Sequence, residues 1–173
     1  MRYFFTSDSH FGHSRIIEFC HRPFKNVGEM DEILINNWNS KVSNEDLVYH
    51  LGDFCMGDPN KYLDRLNGTI SFIRGSHDKK IKYCKKIKEI NDMKTINIDG
   101  NVIILCHYCL KTWPRSHYNT IHLFGHSHGH LKEEGKSLDV GVDSHNFSPL
   151  SLNEVITIMK NKPDNFNFVD NRQ

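Results

Sequence analysis

Five short apolar runs in this chain each end by delivering an aspartate or a histidine, and that repetition limits the folds open to it. The plainest is Leu47-Val48-Tyr49-His50, a buried-strand pattern that stops at Leu51-Gly52 and presents Asp53. Tyr3 to Ser7 runs into Asp8-Ser9-His10, and Ile70 to Arg74 into Gly75-Ser76-His77-Asp78. Val102 to Cys106 runs into His107, and His122-Leu123-Phe124 into Gly125-His126-Ser127-His128. In open α/β sheets ligands gather in the crevice beyond the carboxyl ends of the strands. Strands that end this way therefore point to an α/β protein with one reactive edge.

Composition narrows the chemistry. The 173 residues suit one domain with a sizeable core, here placed at 1–160, followed by a polar tail at 161–173 that is expected to fray. Lys and Arg number 22 against 21 Asp and Glu, a formal net charge of +1, so neither nucleic acid nor an anionic membrane is called for as a dedicated partner. No run is long and apolar enough to span a membrane. Twelve histidines are the excess, and they favour metal or proton chemistry. The five cysteines are an odd number, and the chain opens on a strand pattern rather than a secretory segment. Reduced thiols and a cytoplasmic location follow as expectations. Cys106-His107-Tyr108-Cys109 has the spacing of a zinc or redox pair, but no second pair answers it, so two small buried hydrophobes is the plainer reading.

Between the strands, helical spacing covers Ile16 to Phe19 and Val27 to Trp38, and Pro59 opens a short helix with Asp58 as its cap. Lys79 to Lys88, with six lysines, is expected to be helical: either a solvated face or a cationic rim for a polyanionic substrate. Asp99-Gly100 marks a two-residue hairpin between Met93–Ile98 and Val102–Cys106. Leu138 to Val142 reads as a strand, and Leu152 to Met159 as a final helix.

Each motif alone is common. In the order Asp-x-His, Gly-Asp, Gly-x-His-Asp, strand-ending His and Gly-His-x-His, each after a strand, the set resembles the calcineurin-like metallophosphoesterases from Arg2 to about Met159. His107-Tyr108, Trp113 to Tyr118, and Leu138 to Asp143 resemble segments of the small single-domain members. The resemblance implies an α/β fold, a two-sheet β-sandwich flanked by helices, carrying two divalent metal ions. Asp8, His10 and His128 would hold one ion, His107 and His126 the other, with Asp53 as the bridge and position 76 completing the second site. A bridging hydroxide would attack phosphorus in line, and His77 would serve as the acid, oriented by Asp78. Asp78 is alternatively the N-cap of the lysine-rich stretch. Arg74 and His13, and Arg115 and His117 of the tryptophan loop, are the candidates for holding substrate phosphate. Mixed carboxylate and imidazole ligands suit Mn, and also Fe, Ni or Zn.

The chain departs from the family at one ligand. Ser76 stands where the family has asparagine, and its hydroxyl is a shorter, poorer neutral ligand than an amide carbonyl. The expectation is a metal-dependent phosphoesterase, phosphodiester favoured, with a weak second metal site and slow turnover. A small or nucleotide-type substrate is expected, nucleic acid entering only as substrate, with no membrane partner and no oligomeric state assigned. The alternative is a family-fold binding protein in which Ser76 has weakened or abolished catalysis.

Overall fold

The computed structural model describes residues 1–167. In chain order the strands are β1 (Tyr3–Thr6), β2 (Leu47–His50), β3 (Thr69–Ile73), β4 (Ile87–Asn91), β5 (Met93–Ile98), β6 (Asn101–Cys106), β7 (Ile121–Phe124), β8 (Ser137–Asp139) and β9 (Leu150–Ser151). The helices are α1 (Arg15–Phe19), α2 (Val27–Lys41), α3 (Asn60–Leu63) and α4 (Leu152–Met159). Two mixed sheets result, ordered β4-β3-β2-β1-β9 and β5-β6-β7-β8. β1 to β4 run parallel, so β1 and β2 both end at the edge that carries Asp8 and Asp53. In the second sheet β6, β7 and β8 are parallel and bring His107 and Gly125 to their own common end.

The period of two along β1 to β3 divides the core. Phe4, Val48, Ile70 and Phe72 pack with Met30, Leu34 and Trp38 of α2. Phe5, Tyr49 and Ile73 face the other way, against Ile103, Leu105 and Leu123 of the second sheet and Val155 and Met159 of α4. Each such side chain contributes about 1.5–3 kcal/mol on burial. The starts of α2 and α4 are capped by side chains. Asn26 Oδ1 accepts the Glu29 N–H, and Ser151 with Glu154 forms a reciprocal capping box. Asp99 and Gly100 take φ of +51° and +82°, the left-handed pair that a tight hairpin needs, and Ile98 faces Asn101 across it.

Two expectations need correction. Lys79 to Lys88 is not helical: the chain turns, pins Ile81 into the core, and becomes the edge strand β4 from Ile87. Lysine is a good helix former, but β3 has an open edge whose backbone must be paired. The Ile70 N–H finds the Lys86 carbonyl at 2.7 Å, and tertiary pairing overrides local propensity. The run from Leu138 stops as a strand at Asp139 and passes at Val142–Ser144 into a short 3-10 turn. The polar tail makes contacts with the domain where it is described. Lys162 pairs with Glu133, Asp164 accepts the Asn119 N–H, and Asn165 donates to the Ser116 and Lys111 carbonyls. The remainder of the expected tail, 168–173, lies outside the described residues.

Candidate metal centre

Parallel pairing continues past the strand ends and sets the site. The Asp8 N–H donates to the Gly52 carbonyl at 2.9 Å, and the His10 N–H to the Asp53 carbonyl at 3.0 Å. Gly52 is obligatory twice over: its φ is +95°, and a Cβ there would lie 2.5 Å from the Gly75 nitrogen and 2.6 Å from His107 Nδ1. Gly125 lets β7 close on β1, and a Cβ on it would stand 2.3 Å from Asp8 Oδ2. The His126 N–H then reaches that same oxygen at 2.8 Å. Asp8, His10, Asp53, His126 and His128 all adopt left-handed φ, between +48° and +69°. Such strain costs on the order of 1–3 kcal/mol per residue and persists where the surroundings over-determine it, chiefly at functional sites.

Three candidate ligand groups emerge among the described residues: two flank Asp53, and a third, Cys20, His128 and Asp143, shares His128 with the first. Asp8, His10 and His128 have ligand atoms within 4.8 Å of one another, and so do Asp53, His107 and His126. Asp53 stands between them, its Oδ2 3.8 Å from His10 Nε2 and 3.5 Å from His107 Nε2. Asp8 Oδ1, His10 Nε2 and His107 Nε2 are buried without a hydrogen-bond partner. Buried polar atoms are nearly always paired, and three orphans around one carboxylate are what cation ligands look like before the cation is added. Electrostatics agrees. Burial pushes the Asp8 carboxyl up to about 7 and drives His10 down to about 3. Burial opposes ionisation of Asp53 too, but the nearby His107 ring, the His77 amide bond and the charge of His10 outweigh it, so its carboxyl lies below the usual range. A hard or borderline divalent ion with oxygen and nitrogen ligands fits this donor set.

The His107 and His128 rings are held from behind. His107 Nδ1 contacts the Leu51 carbonyl at 2.6 Å, and His128 Nδ1 the Asp143 carboxylate at 2.7 Å, which leaves each Nε2 for the site. Asp143 is itself gripped by Arg22, whose Nε and Nη2 donate at 2.7 and 2.8 Å. The same guanidinium donates to the Asp8 and Ser9 carbonyls. Neither Arg22 nor Asp143 was among the sequence candidates. Arg22 looked like a loop residue before Pro23, and its partner lies 121 residues away.

The other sequence candidates divide. Asp78 neither caps a helix nor turns the His77 ring. Its carboxylate accepts the N–H groups of Asp53, Phe54 and Gly75 at 2.7, 2.9 and 2.7 Å, and so fixes the loop that carries Asp53. The His77 N–H donates to Asp53 Oδ1 at 2.9 Å, while its ring stands half-exposed with Nε2 4.0 Å from Asp53 Oδ2. Ser76 Oγ donates weakly to both Asp53 oxygens, at 3.4 and 3.3 Å. The His13 ring borders the centre, 5.4 Å from that of His10. Arg74 is half-exposed, 3.7 Å from Asp92. Arg115 and His117 do not join the site. Thr120 Oγ1 donates to the Pro114 and Arg115 carbonyls and accepts from Trp113, which ties that loop to the start of β7, the end opposite His126. Tyr108, not among the candidates, packs on the His126 ring at 4.9 Å.

A sequence profile of the calcineurin-like phosphoesterase superfamily domain matches residues 1–142. The chain belongs to that superfamily. Its members bind divalent metals and hydrolyse phosphate esters, in keeping with the two ligand groups that flank Asp53. An uncharacterized protein of Methanocaldococcus jannaschii is 35% identical over 169 residues, 91% of this chain and 90% of that protein. The Gene 66 protein of Mycobacterium phage L5 is 35% identical over 80 residues, 43% of this chain and 38% of that protein. The crystal structure of a protein of unknown function from Aquifex aeolicus superposes with a TM-score of 0.72 at 27% identity, covering 91% of this chain and 98% of that one. Among the described residues no helix is long and apolar enough to cross a membrane.

Proposed function

We propose that this superfamily member is a cytoplasmic phosphodiesterase with two divalent ions, Mn foremost and Fe, Ni or Zn as substitutes, on a two-sheet sandwich flanked by helices. The observation that carries the reading is the paired ligand groups on either side of Asp53 with their unpartnered buried atoms. Asp8, His10 and His128 would hold one ion, and His107, His126 and Ser76 the other, with Asp53 shared. Two such ions, when bound, acidify water and neutralise phosphoryl oxygens. The chain's own residues do the rest. Asp78 holds the Asp53 loop rigid through three amides. His77, open to solvent beside Asp53, is positioned to give its proton to the leaving oxygen. His13 borders the same opening, its ring 6.4 Å from that of His77, and Arg74, next to Gly75 in the chain, is the second candidate for substrate oxygens.

The weak bond from Ser76 to Asp53 supports a loosely held second ion. Mn-dependent hydrolysis of an aryl phosphodiester by this chain and by Ser76→Asn, side by side, tests the proposal. The expected result is turnover by both and faster turnover by the asparagine form. No turnover by either with Mn, Fe, Ni or Zn refutes the diesterase reading.

A further inference from the structure

A cleft of about 740 Å³ is walled by Gly57 to Asn60 on one side and by Lys79, Lys80, Lys82, Tyr83 and Cys84 on the other. Both walls leave the centre directly, the first a few residues past Asp53 and the second immediately after His77-Asp78. Ile81 is buried in the core and its N–H donates to the Asp78 carbonyl at 3.0 Å, so the second wall is anchored. Its neighbours Lys80 and Lys82, with Lys79, face outward into the cleft as exposed side chains. Among the described residues none of these three ammonium groups has a hydrogen-bond or ion-pair partner, whereas Lys86 is committed to the Leu66 and Gly68 carbonyls. The carboxylate in the lining is Asp58, which is engaged by the backbone and side chain of Asn60 at 3.0 and 3.2 Å. Tyr83 stands on the same wall with 70% of its surface exposed.

On a chain of net charge +1, three free cations and an open aromatic ring converging on one cleft form a local polyanion site. Lysines spaced along a groove follow a phosphate backbone, and an exposed ring offers a face on which an unpaired base can stack. A volume in the range of about 300–1,000 Å³ accepts a ligand of nucleotide size or more. We propose that this cleft holds the strand of a single-stranded nucleic acid, its phosphates along Lys79, Lys80 and Lys82 and one base on Tyr83, leading a phosphodiester to the metal centre. The inference rests on the diesterase reading for that last step, but strand binding stands apart from it. It also makes the lysine run a substrate track rather than a solvated face.

The experiment is fluorescence anisotropy of a labelled oligothymidylate and oligouridylate of about twelve nucleotides, titrated with the full chain in EDTA. The expected result is binding of at least one. Lys79→Ala/Lys80→Ala/Lys82→Ala should weaken it at least tenfold and flatten the slope of log K against log salt by about 2, three contacts at about 0.7 each. Tyr83→Ala should weaken it about tenfold through lost stacking. A control that removes equal charge elsewhere, Lys25→Ala/Lys111→Ala/Lys132→Ala, should change affinity less than twofold. No binding of either strand, an equal loss in the control, or an unchanged affinity in Tyr83→Ala overturns the inference. Turnover of the aryl diester by the unsubstituted chain and by Ser76→Asn, with Mn, Fe, Ni or Zn, is read separately. Strand binding without turnover supports the cleft and removes the diesterase reading; turnover without strand binding does the reverse.

Discussion

Replacing Asp143 by asparagine probes how the first ligand group is held. Its two oxygens accept from Arg22 Nε at 2.7 Å, Arg22 Nη2 at 2.8 Å and His128 Nδ1 at 2.7 Å. The Arg22 side chain has no exposed surface and that of Asp143 is 9% exposed, so solvent can replace neither partner. Breaking a buried pair from one side costs about 3–5 kcal/mol, because the remaining charge is left uncompensated. Arg22 keeps the Asp8 and Ser9 carbonyls, which places the expectation at the lower end, about 3 kcal/mol. With a urea m-value of about 2 kcal/mol/M the unfolding midpoint falls by about 1.5 M. A second effect is independent of stability. Asparagine cannot hold the His128 ring as a carboxylate does, and loss of such a partner typically lowers metal affinity about 10–100-fold. Urea unfolding in EDTA reads the first effect, and calorimetric titration with Mn at low temperature reads the second. Arg22→Met combined with Asp143→Asn should show a coupling energy of about 1–3 kcal/mol. An asparagine variant that unfolds at the wild-type midpoint and binds Mn as tightly would refute the role given to Asp143.

Three further outcomes are expected. His77→Ala should lower kcat for an aryl diester with a good leaving group less than for one with a poor leaving group, the latter by about 10²–10⁴-fold, with Mn affinity kept; equal losses for both would remove the proton from His77. Gly52→Ala should cost about 3 kcal/mol or more in urea unfolding, since left-handed φ and a 2.5 Å clash with backbone act together; a loss under about 1 kcal/mol would show that the loop yields. Asp46 accepts from the Arg2 and Ser43 amides, the Arg2 guanidinium and the Ser43 hydroxyl, and although burial opposes it these bonds hold its carboxyl below the ordinary range. Protons therefore bind the unfolded chain first, and the stabilisation is present above the unfolded pKa of about 3.9 and lost as pH falls toward the folded value. Asp46→Asn should cost about 1.5–3 kcal/mol at pH 7 and progressively less below about pH 4; a constant difference from pH 7 to pH 3 would contradict this.

What the sequence made legible follows a physical division. The strand-ending Asp and His residues could be found because each is attached to a local apolar run, and local periodicity survives in one dimension. The Asp99-Gly100 hairpin was legible for the same reason, since its turn chemistry is written in adjacent residues. β4 was not, because Ile87 to Asn91 is a strand only by virtue of the open edge of β3 beside it. Arg22 and Asp143 were hidden by distance along the chain: a buried ion pair has no period and no neighbouring partner. Asp78 was found for its proximity to His77 but does its work through backbone amides, which carry no residue-specific signature. Arg115 and His117 were proposed from a loop resemblance, and only the anchoring of Thr120 shows which end of β7 that loop serves.

The spread of the ligands along the chain has a consequence during synthesis. Asp8, His10 and Asp53 emerge from the ribosome early, while His107, His126, His128 and the Asp143 that steadies one of them come far later. At about 5–20 residues per second, roughly 6–24 s separate the appearance of Asp8 from that of His128. β1 meanwhile lacks its neighbour β9, which is drawn from Leu150–Ser151, so the first sheet has one open flank over the same interval. An ion captured in that window would meet half a coordination shell and could leave again. The candidate ligand set is thus complete only once His128 and Asp143 have been made, so selection among ions falls to the folded site rather than to its first segment.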